Sequence, residues 1–486
     1  MKEEKINYKK LKLKCGLEIH QQLDTKNKLF CHCSTGMQER EPIKIVTRKQ
    51  HPVASELGKV DTAAQYEYFR NRTFLYQVFK NESCLVELDE EPPHPLNQEA
   101  LRIALEVALL LNCEIPNEIQ IMRKTVIDGS NTGGFQRTAI VGLNGFAKCN
   151  GKKIEITHVA LEEDAAAIVK EENGNVTYRL NRLGVPLVEI GTGLLEGFNP
   201  EDIQEIAYTI GMICRSTGKV KHGIGTIRQD VNVSIKNGRR VEIKGVQELG
   251  LLSKIVELEV QRQLELPRVE EETRTALEDG TTKFMRPLPG AERMYPETDI
   301  VPVPVSKELI KEIEDKLPEP WTKKLGRFKS KLKLSDQLAK EILRSEYLEL
   351  FERIVENRKV NASVAANTFT ALLKDLKKRE KVEIEKLNEK HFVDLFEQLA
   401  KGKIVKEAIP EILKHLAKKS ELPVTEVIKD LNLSVMKKSE LVKIVRKVAK
   451  ENPEMTRDKI LGIVMSNVRG RIEAEEVMKA VRKIKK

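Results

Sequence analysis

The sequence predicts an α+β protein in which a β-sheet-based N-terminal region precedes an all-helical one. Alternation of polar and apolar residues, typical of half-buried strands, recurs at residues 12–23, 153–161, 184–191, 226–235 and 240–246. Helical spacing of apolar residues within the same region predicts two amphipathic helices, from Asn97 to Leu111 and from Pro200 to Thr217. Beyond Val301-Pro-Val-Pro-Val305, an extended stretch that cannot continue a helix, nearly every segment has helical spacing.

Two breaks in these patterns divide the chain into three predicted domains. The first break is the Val-Pro stretch at 301–305, and the second lies near Asn432-Leu-Ser434, where the helical periodicity stops. The predicted domains are residues 1–303 with the strands, residues 304–431 with helices, and residues 432–486 as a small helical tail.

Charge is distributed unevenly along the 486 residues, whose formal net charge is +10. Residues 1–400 carry 62 basic and 62 acidic side chains, whereas residues 401–486 carry 22 basic and 12 acidic ones. A neutral body with a basic end suits the binding of a large polyanion. A solvated helical surface is the alternative interpretation of the same charges.

Cysteine content and hydropathy bear on the compartment. The seven cysteines are odd in number and lack disulfide-like spacing, which favours a reducing environment. The first ten residues have no apolar signal core. The longest helix-like apolar stretch, Leu101 to Leu111, contains Arg102 and Glu106 and is too short to cross a bilayer. We therefore expect a cytoplasmic protein without a membrane partner.

The polar faces of the predicted strands carry candidate metal and phosphate ligands. Because successive strand side chains point to opposite faces, Glu18 and His20 share a face, and so do Glu242 and Lys244. Asp230 lies on the polar face of the strand before Glu242. Carboxylates suit Mg²⁺, which prefers oxygen ligands together with phosphate and water, and Lys244 would neutralise a phosphate.

Three consecutive acids, Glu162, Glu163 and Asp164, end another alternating strand. Buried against a cation, such a cluster would bind Mg²⁺. An exposed acidic turn is the simpler interpretation of this segment taken alone. Acids recur on polar strand faces, also at Glu189, and this recurrence favours a metal site over separate solvated surfaces.

The turn between the last two predicted strands tests whether their polar residues share a face. Asn237-Gly238 is typical of a two-residue hairpin loop, which would pair Val233 with Glu242 and mix apolar and charged side chains on each face. Pairing Ser234 with Glu242 keeps the apolar side chains together, and each buried one contributes about 1.5–3 kcal/mol. We therefore predict this register, with a three-residue loop at residues 237–239 or an equivalent bulge.

Two loop segments are candidate ligand sites. The glycine-rich loop Asp128–Phe135 would present backbone N–H groups and Ser130 to an anion. It is not a P-loop, because no Lys-Ser/Thr follows the glycines, and an ordinary turn is the alternative. Cys31-His-Cys33 suggests zinc, but a structural site needs four ligands. Since Cys84 is the next cysteine and no Cys-x-x-Cys occurs, no zinc site is predicted.

Several motifs in combination resemble the B/E family of tRNA-dependent amidotransferases over essentially the whole chain. They are Gly16-Leu-Glu-Ile-His20, Lys28-Leu-Phe-Cys-His-Cys33, Leu161-Glu-Glu-Asp-Ala165, Asn181-Arg-Leu-Gly-Val-Pro-Leu-Val-Glu-Ile190, Arg228-Gln-Asp-Val-Asn-Val-Ser-Ile235, Arg293-Met-Tyr-Pro-Glu-Thr-Asp299 and Asn467-Val-Arg-Gly-Arg471. The resemblance is closest to the archaeal E branch. A large insertion of that branch, similar to a domain of bacterial aspartyl-tRNA synthetase, is missing where Val269 runs straight into Glu270.

This resemblance implies a cradle-shaped catalytic domain, a helical domain and a YqeY-like tail. It also implies conversion of Glu-tRNA(Gln) to Gln-tRNA(Gln), in which ATP and Mg²⁺ serve to phosphorylate the γ-carboxylate of the glutamate before ammonia displaces the phosphate. The sequence shows no Gly-x-Ser-x-Gly motif or other amidase nucleophile. Ammonia would therefore come from a partner, the asparaginase-like protein GatD, in a heterotetramer.

Matched position by position, the resemblance also implies a set of site residues. The catalytic residues would be Glu18, His20, Glu163, Asp230 and Glu242, all of which, together with Glu162, would be metal ligands. Lys244, Arg228 and Ser130 would bind ATP or phosphate. A non-catalytic tRNA-binding scaffold that uses the basic tail is the alternative, and it would not need acids on several strand faces.

Overall fold

The chain forms two compact units, Met1–Pro320 and Trp321–Lys486. A computed structural model describes residues 6–36, 41–54, 58–223, 225–290, 294–357 and 360–483. Strands dominate the first unit and helices the second, which confirms the predicted α+β class. The first unit extends beyond the predicted boundary at residue 303, because the helix Lys307–Glu314 buries Ile313 in the core of that unit.

The strands of the described residues all lie in the first unit. They are β1 Lys14–Gln22, β2 Lys44–Arg48, β3 Thr73–Val78, β4 Glu118–Ile119, β5 Ile121–Thr125, β6 Phe135–Cys149, β7 Lys152–Glu163, β8 Ala167–Glu172, β9 Asn175–Arg179, β10 Pro186–Thr192, β11 Leu195–Glu196, β12 Ile227–Ser234, β13 Val241–Val246, β14 Glu272–Ala276, β15 Thr282–Pro287, β16 Met294–Pro296 and β17 Val303–Pro304. The strands predicted from alternation correspond to β1, β7, β10, β12 and β13.

Four of the five α-helices described in the first unit begin with a side-chain cap. The five helices are α1 Thr62–Phe69, α2 Gln98–Leu110, α3 Pro200–Ser216, α4 Leu252–Glu265 and α5 Lys307–Glu314, of which α4 lacks such a cap. The Asn97 side chain accepts a hydrogen bond from the backbone of Ala100 at the start of α2, and Asn199 forms a capping box with Asp202 at the start of α3. These caps satisfy backbone N–H groups of the first helical turn. Both predicted amphipathic helices are confirmed.

Eleven of the described strands form one sheet in the order β15-β14-β13-β12-β1-β10-β7-β6-β5-β16, with β11 also paired to β1. The described pairs are antiparallel except β13 with β14. Helices α2, α3 and α4 pack their apolar stripes against one face, mainly on β1, β6, β7 and β12. The polar side chains of the central strands therefore gather on the opposite face.

The register between β12 and β13 differs from the predicted one, whereas the predicted sharing of faces is confirmed. Val231 pairs with Ile243 and Asn232 with Glu242, so the apolar residues share one face and the polar residues the other. The connection spans residues 235–240 rather than three residues. Its longer path arises because the backbone N–H of Lys236 donates to Leu11 instead of continuing the hairpin.

A smaller sheet of four strands, in the order β2-β3-β9-β8, supports the glycine-rich loop. Tyr76 and Tyr178 stack with ring centroids 5.9 Å apart, and their hydroxyls donate to the carbonyls of Gly129 and Asp128, both at 2.8 Å. Gly129 has a φ of +91°, and a Cβ there would lie 2.3 Å from the ring of Phe74. The loop is therefore fixed on this sheet by its backbone.

The second unit is helical throughout its regular elements. Its helices are α6 Trp321–Ser330, α7 Asp336–Leu343, α8 Leu348–Asn357, α9 Ala362–Asn367, α10 Leu373–Lys378, α11 Glu389–Ala400, α12 Ile409–Lys418, α13 Val424–Asp430, α14 Lys438–Glu451, α15 Arg457–Asn467 and α16 Ala474–Arg482. Helices α14 to α16 share an apolar cluster of their own, which runs from Met436 to Val481. Among the described residues, none of the helices is long and apolar enough to span a membrane.

Candidate active site

The polar face of the large sheet gathers side chains from neighbouring strands. Glu18 of β1 lies opposite Asp230 of β12, and His20 lies opposite Glu189 of β10. Directly paired residues share a face, and residues two apart along a strand share it as well. Glu242 joins the same face because its partner Asn232 is two residues from Asp230.

Glu18, His20 and Glu189 form the first ligand group on this face. One ligand atom from each residue lies within 4.8 Å of the other two. His20 Nε2 lies 3.1 Å from Glu189, and His158 Nε2 lies 3.2 Å from its other oxygen. Burial alone would raise the pKa of Glu189, but Lys124 and the two histidines hold it well below its ordinary value. Glu189, an acid not assigned to the site from sequence, therefore remains a carboxylate at its centre.

Glu18, Asp230 and Glu242 form a second ligand group, so that Glu18 belongs to both. The ammonium of Lys244 lies 3.0 Å from Asp230 and 2.8 Å from Glu242. Burial opposes charge on Asp230, yet Lys244 lowers the pKa of this carboxyl to about 2. Burial raises the pKa of Glu18, where Lys244 opposes the effect and the surrounding carboxylates reinforce it.

A bulge between β12 and β13 brings Lys244 to this position. The pairing shifts between Gln229 and Val231, and the backbone N–H of Gly245 donates to Asp230 at 2.9 Å. Gly245 has a φ of +80°, in the left-handed region that glycine adopts without strain. The bulge thus binds the Asp230 carboxylate through one backbone and one side-chain donor.

Glu162 lies on the same face at the end of β7. It accepts hydrogen bonds from Thr138 and from Gln136 Nε2, the latter at 3.0 Å, and its carboxylate lies 2.7 Å from the ammonium of Lys124. Lys124 also lies 3.5 Å from Glu189. Glu162 is thereby linked to the first ligand group through Lys124.

The structure places Glu163, predicted as a metal ligand, outside the two ligand groups of the sheet face. Glu163 follows Glu162 directly in the strand, so its side chain points to the opposite face. There it accepts a hydrogen bond from the backbone of Arg137 at 3.1 Å and lies 3.4 Å from the guanidinium. Arg137 in turn donates to Glu297 at 2.7 Å. Strand alternation, applied to adjacent acids, would have separated the two roles.

The three predicted phosphate-binding residues lie in different settings. Lys244 contacts Asp230 and Glu242 of the second ligand group, and Arg228 lies opposite His20 in the β1–β12 ladder. Ser130 is not on these strands, because it belongs to the loop held by the smaller sheet. Its hydroxyl donates to Asp128 at 2.6 Å, so the structure does not bring it to the ligand groups.

A third ligand group lies in two loops of the same unit. Cys31, Cys33, Cys84 and Glu87 place one ligand atom each within 4.8 Å of one another. Cys31 Sγ donates to Glu87 at 2.8 Å, and the buried ammonium of Lys28 lies 3.2 Å from the same carboxylate. Three thiols and a carboxylate are a donor set that suits Zn²⁺. Sequence reasoning leaves Cys84 outside any cluster, because β2, α1 and β3 lie between it and Cys33 along the chain.

The donors on the sheet face fit a hard divalent cation. They are carboxylate oxygens and one imidazole, and His20 Nδ1 is a buried atom without a hydrogen-bond partner in the described residues. Mg²⁺ prefers such oxygen-rich sets and completes them with phosphate and water. Glu18, His20 and Glu189, or Glu18, Asp230 and Glu242, are the residues that would hold it. The arrangement suits chemistry on a phosphorylated, negatively charged substrate.

Comparisons with known proteins identify the family of the chain. The model of the GatB/GatE catalytic domain matches residues 13–311, and that of the GatB domain matches residues 349–484. The chain belongs to the GatB/GatE family. The first match contains the strands of the sheet-face site and also the two loops of the cysteine cluster, and the second contains the helices of the C-terminal tail.

Curated relatives share the family over nearly their whole length. The chain is similar to proteins named as the E subunit of glutamyl-tRNA(Gln) amidotransferase from Methanocaldococcus jannaschii, 37% identical over 98% of this chain and 99% of the relative, and Aeropyrum pernix, 34% identical over 99% and 98%. The first alignment extends over 625 residues, more than the 486 of this chain. The relative therefore contains residues without a counterpart here, as expected from the missing insertion, and α4 and β14 are joined by a short connection at residues 266–271.

Proposed function

We propose that this chain is the component of a tRNA-dependent amidotransferase that activates the glutamate of Glu-tRNA(Gln) with ATP and amidates it to Gln-tRNA(Gln). The observation that carries the proposal is the pair of ligand groups that share Glu18 on the polar sheet face. The curated relatives are named as the E subunit of glutamyl-tRNA(Gln) amidotransferase, and this supports the choice of substrate.

The proposed chemistry has two steps. An oxygen of the glutamate γ-carboxylate attacks the γ-phosphorus of ATP, the bond from that phosphorus to the β–γ bridging oxygen breaks, and ADP leaves. Ammonia then attacks the acyl carbon of the γ-glutamyl phosphate. Inorganic phosphate leaves with the electron pair of its bond to carbon, and the nitrogen loses a proton to give the amide. Such phosphoryl transfer depends mainly on positioning and on charge stabilisation.

The basic residues of the face would bind the phosphate oxygens. Asp230 and Glu242 raise the pKa of Lys244 against the opposing effect of burial, so its ammonium stays protonated. The ammonium of Lys244 lies between the carboxylates of Asp230 and Glu242. It would exchange its contact with one of them for a contact with a phosphate oxygen. Arg228 offers planar paired donors, which suit a phosphate more closely than a point charge does.

The carboxylates and His20 would hold Mg²⁺, which when bound neutralises charge on the phosphates. Glu18 is central because it belongs to both ligand groups. Glu189 is fixed by His20, His158 and Lys124, and Glu242 accepts a hydrogen bond from Thr273 at 2.9 Å. These contacts hold the ligand oxygens in place before substrate binds.

Ammonia would be supplied by a second protein. The sequence lacks an amidase nucleophile motif, and the proposed mechanism consumes ammonia without producing it. We therefore propose an asparaginase-like partner, GatD, and a heterotetramer of the two proteins. The basic residues at 401–486 would contact the tRNA backbone, and a cytoplasmic location fits a role in translation.

The test is an assay of the isolated chain with [γ-³²P]ATP, Glu-tRNA(Gln) and free ammonium chloride. Gln-tRNA(Gln) should form, and phosphate release should depend on the charged tRNA. Asp230→Asn should remove both, whereas Asp315→Asn, at an exposed aspartate after α5, should leave both unchanged. Binding of tRNA without any turnover would support the scaffold alternative instead.

A further inference from the structure

The three consecutive acids at the end of β7 contact three different basic residues. Glu162 contacts Lys124 on the polar face, and Glu163 contacts Arg137 on the other face. Asp164, the residue after the strand, contacts Arg228 instead. Its side chain is only 1% exposed, and it belongs to neither ligand group on the sheet face.

The carboxylate of Asp164 is fully engaged by donors. Oδ1 accepts from Arg228 Nη1 at 3.2 Å and from the backbone N–H of Ala165 at 2.9 Å. Oδ2 accepts from Gln22 Nε2 at 2.6 Å, and Arg182 Nε lies 3.8 Å away. Burial alone would raise the pKa of Asp164, but Arg182 and Arg228 lower it. This carboxylate is therefore a fixed anion with its acceptors occupied, rather than a metal ligand.

Among the described residues, the guanidinium of Arg228 is held through Nη1, by its hydrogen bond to Asp164. Arg228 lies opposite His20 in the ladder and two residues before Asp230 on the same face. Its side chain is 26% exposed, and Asp164 is its hydrogen-bond partner among the described residues. The other guanidinium donors are therefore accessible beside the ligand groups.

The competing partner for these donors is the carboxylate of Asp230. A guanidinium without an anchor, next to a row of carboxylates, would pair with the nearest one. That contact would occupy a ligand of the second group and turn the donors away from the open side of the sheet. An anion fixed at Arg228 Nη1, as Asp164 is, would oppose this pairing.

We propose that Asp164 is a positioning residue that holds Arg228 so that its free edge binds the oxygens of the phosphoryl group transferred from ATP. Asp164 itself does not touch the reacting atoms, and Gln22 fixes its orientation. The inference rests on the proposed function, because it takes Arg228 as a phosphate ligand. It gives a role to Asp164, the last of the three consecutive acids, which belongs to neither ligand group on the sheet face.

The experiment combines chemical rescue with nucleotide binding. Arg228→Ala should lower kcat by about 10²–10³-fold, the usual cost of one charge-stabilising donor, and added guanidinium chloride should restore part of it. Asp164→Asn should lower kcat by about 10- to 100-fold, as outer partners of a site commonly do. In the double variant Arg228→Ala/Asp164→Asn, guanidinium should restore nothing, because its anchoring anion is gone.

Two further measurements separate positioning from a structural role. The Kd of ATP, measured by calorimetry, should rise for Asp164→Asn, while its circular dichroism and Tm stay close to those of the parent. Asp61→Asn is the matched control, since Asp61 is a buried aspartate that accepts from the backbone N–H groups of Ala64 and Gly290 and belongs to neither ligand group on the sheet face. It should lower Tm without changing the Kd of ATP or the rescue.

The outcomes also distinguish this proposal from the proposed function. If Arg228→Ala keeps the parental kcat, the role of Arg228 in the proposed function is wrong. If Arg228→Ala is impaired but guanidinium rescues it equally well with Asn at position 164, positioning by Asp164 is overturned and the role of Arg228 stands. A loss of Tm in Asp164→Asn with an unchanged Kd of ATP would likewise overturn positioning.

Discussion

Two regions of the first unit gather metal-ligand side chains, and they are built differently. The sheet face brings carboxylates and an imidazole from β1, β10, β12 and β13 into two groups. The cysteine cluster brings three thiols and Glu87 from two loops. Oxygen and imidazole donors suit Mg²⁺ with phosphate, whereas thiolates suit Zn²⁺. One region is suited to chemistry on a phosphate and the other to joining two loops.

The contrast also lies in how each region is supported. On the sheet, backbone ladders fix the register, so pairs such as Glu18 with Asp230 are set by strand pairing. In the loops, no strand ladder supports the described ligands, and local contacts hold them instead. The ammonium of Lys28 lies next to the Glu87 carboxylate, which also accepts from the backbone N–H of Cys84 at 2.7 Å. Removal of one ligand should therefore affect chemistry in the first region and stability in the second.

The largest expected effect is loss of activity at the sheet face. Asp230→Asn removes a charge shared by Lys244 and the second ligand group, and keeps the shape of the side chain. We expect Glu-tRNA-dependent ATP hydrolysis to fall by at least about 10³-fold, the upper range for a single charge-stabilising group. Tm should fall only modestly, because the amide oxygen still accepts from one of the two donors, Gly245 or Lys244, and Lys244 keeps its contact with Glu242. A Tm loss that accounts for the lost activity would contradict the assignment.

The next effect concerns the cysteine cluster. The purified chain should contain about one zinc per molecule, the number that one four-ligand site holds, and Cys84→Ser should lose the metal and several degrees of Tm. Residual folded protein should keep its kcat, because no ligand of the sheet face is altered. Cys149→Ser, at a buried cysteine whose Sγ accepts from Thr209, is the matched control and should retain the metal. Metal-free parent protein with an unchanged Tm would rule out a structural metal.

Strand alternation predicted much of the sheet-face site because its period fixes which side chains share a face. Glu18, His20, Asp230, Glu242 and Lys244 were placed together on that basis, and the structure places them together. Glu163 was included as one of three consecutive acids at a strand end and through the resemblance, although adjacent strand residues point to opposite faces. The roles of all these residues remain predictions until they are measured.

The parts of the fold that the sequence did not predict depend on contacts distant along the chain. The long strand β6, Phe135–Cys149, lacks a clear alternation because glycines and buried positions on both faces interrupt it. In the connection between β12 and β13, the backbone N–H of Lys236 donates to Leu11, a contact distant along the chain that no local turn preference encodes. Cys84 and Glu87 reach Cys31 only through tertiary packing.

A smaller effect should appear in the pH dependence of stability, on the face opposite the ligand groups. Burial opposes charge on Glu297, but hydrogen bonds from Arg123, the Asp299 backbone and Arg137 lower its pKa from 4.5 to about 2. A lowered folded-state pKa contributes stability above the unfolded value, and that stability is lost as pH falls toward 2. The contribution is at most about 3 kcal/mol, since one pKa unit corresponds to about 1.4 kcal/mol.

Urea unfolding of the parent and of Glu297→Gln between pH 3 and 7 measures this contribution. The difference in the free energy of unfolding should be largest above about pH 5 and should shrink steadily below it. Glu278→Gln, at an exposed position, should show no such trend. A constant difference across this range would contradict a lowered pKa at Glu297.

The smallest effect is expected in the tail, which contrasts with both ligand regions because it has basic charge and no ligand cluster among its described residues. Lys443 and Arg446 are exposed on α14, while Leu441 and Val445 of the same helix are buried.

Replacing both Lys443 and Arg446 by Gln should raise the KM for tRNA a few-fold and leave kcat unchanged, because they would bind phosphates and take no part in the chemistry. The slope of log KM against log salt should fall by about one for each phosphate-binding side chain that is replaced. Glu451, an exposed acid at the end of the same helix, provides the control, since Glu451→Gln should leave the slope unchanged. An unaltered slope in the double variant would mean that α14 is a solvated helix without a role in tRNA binding.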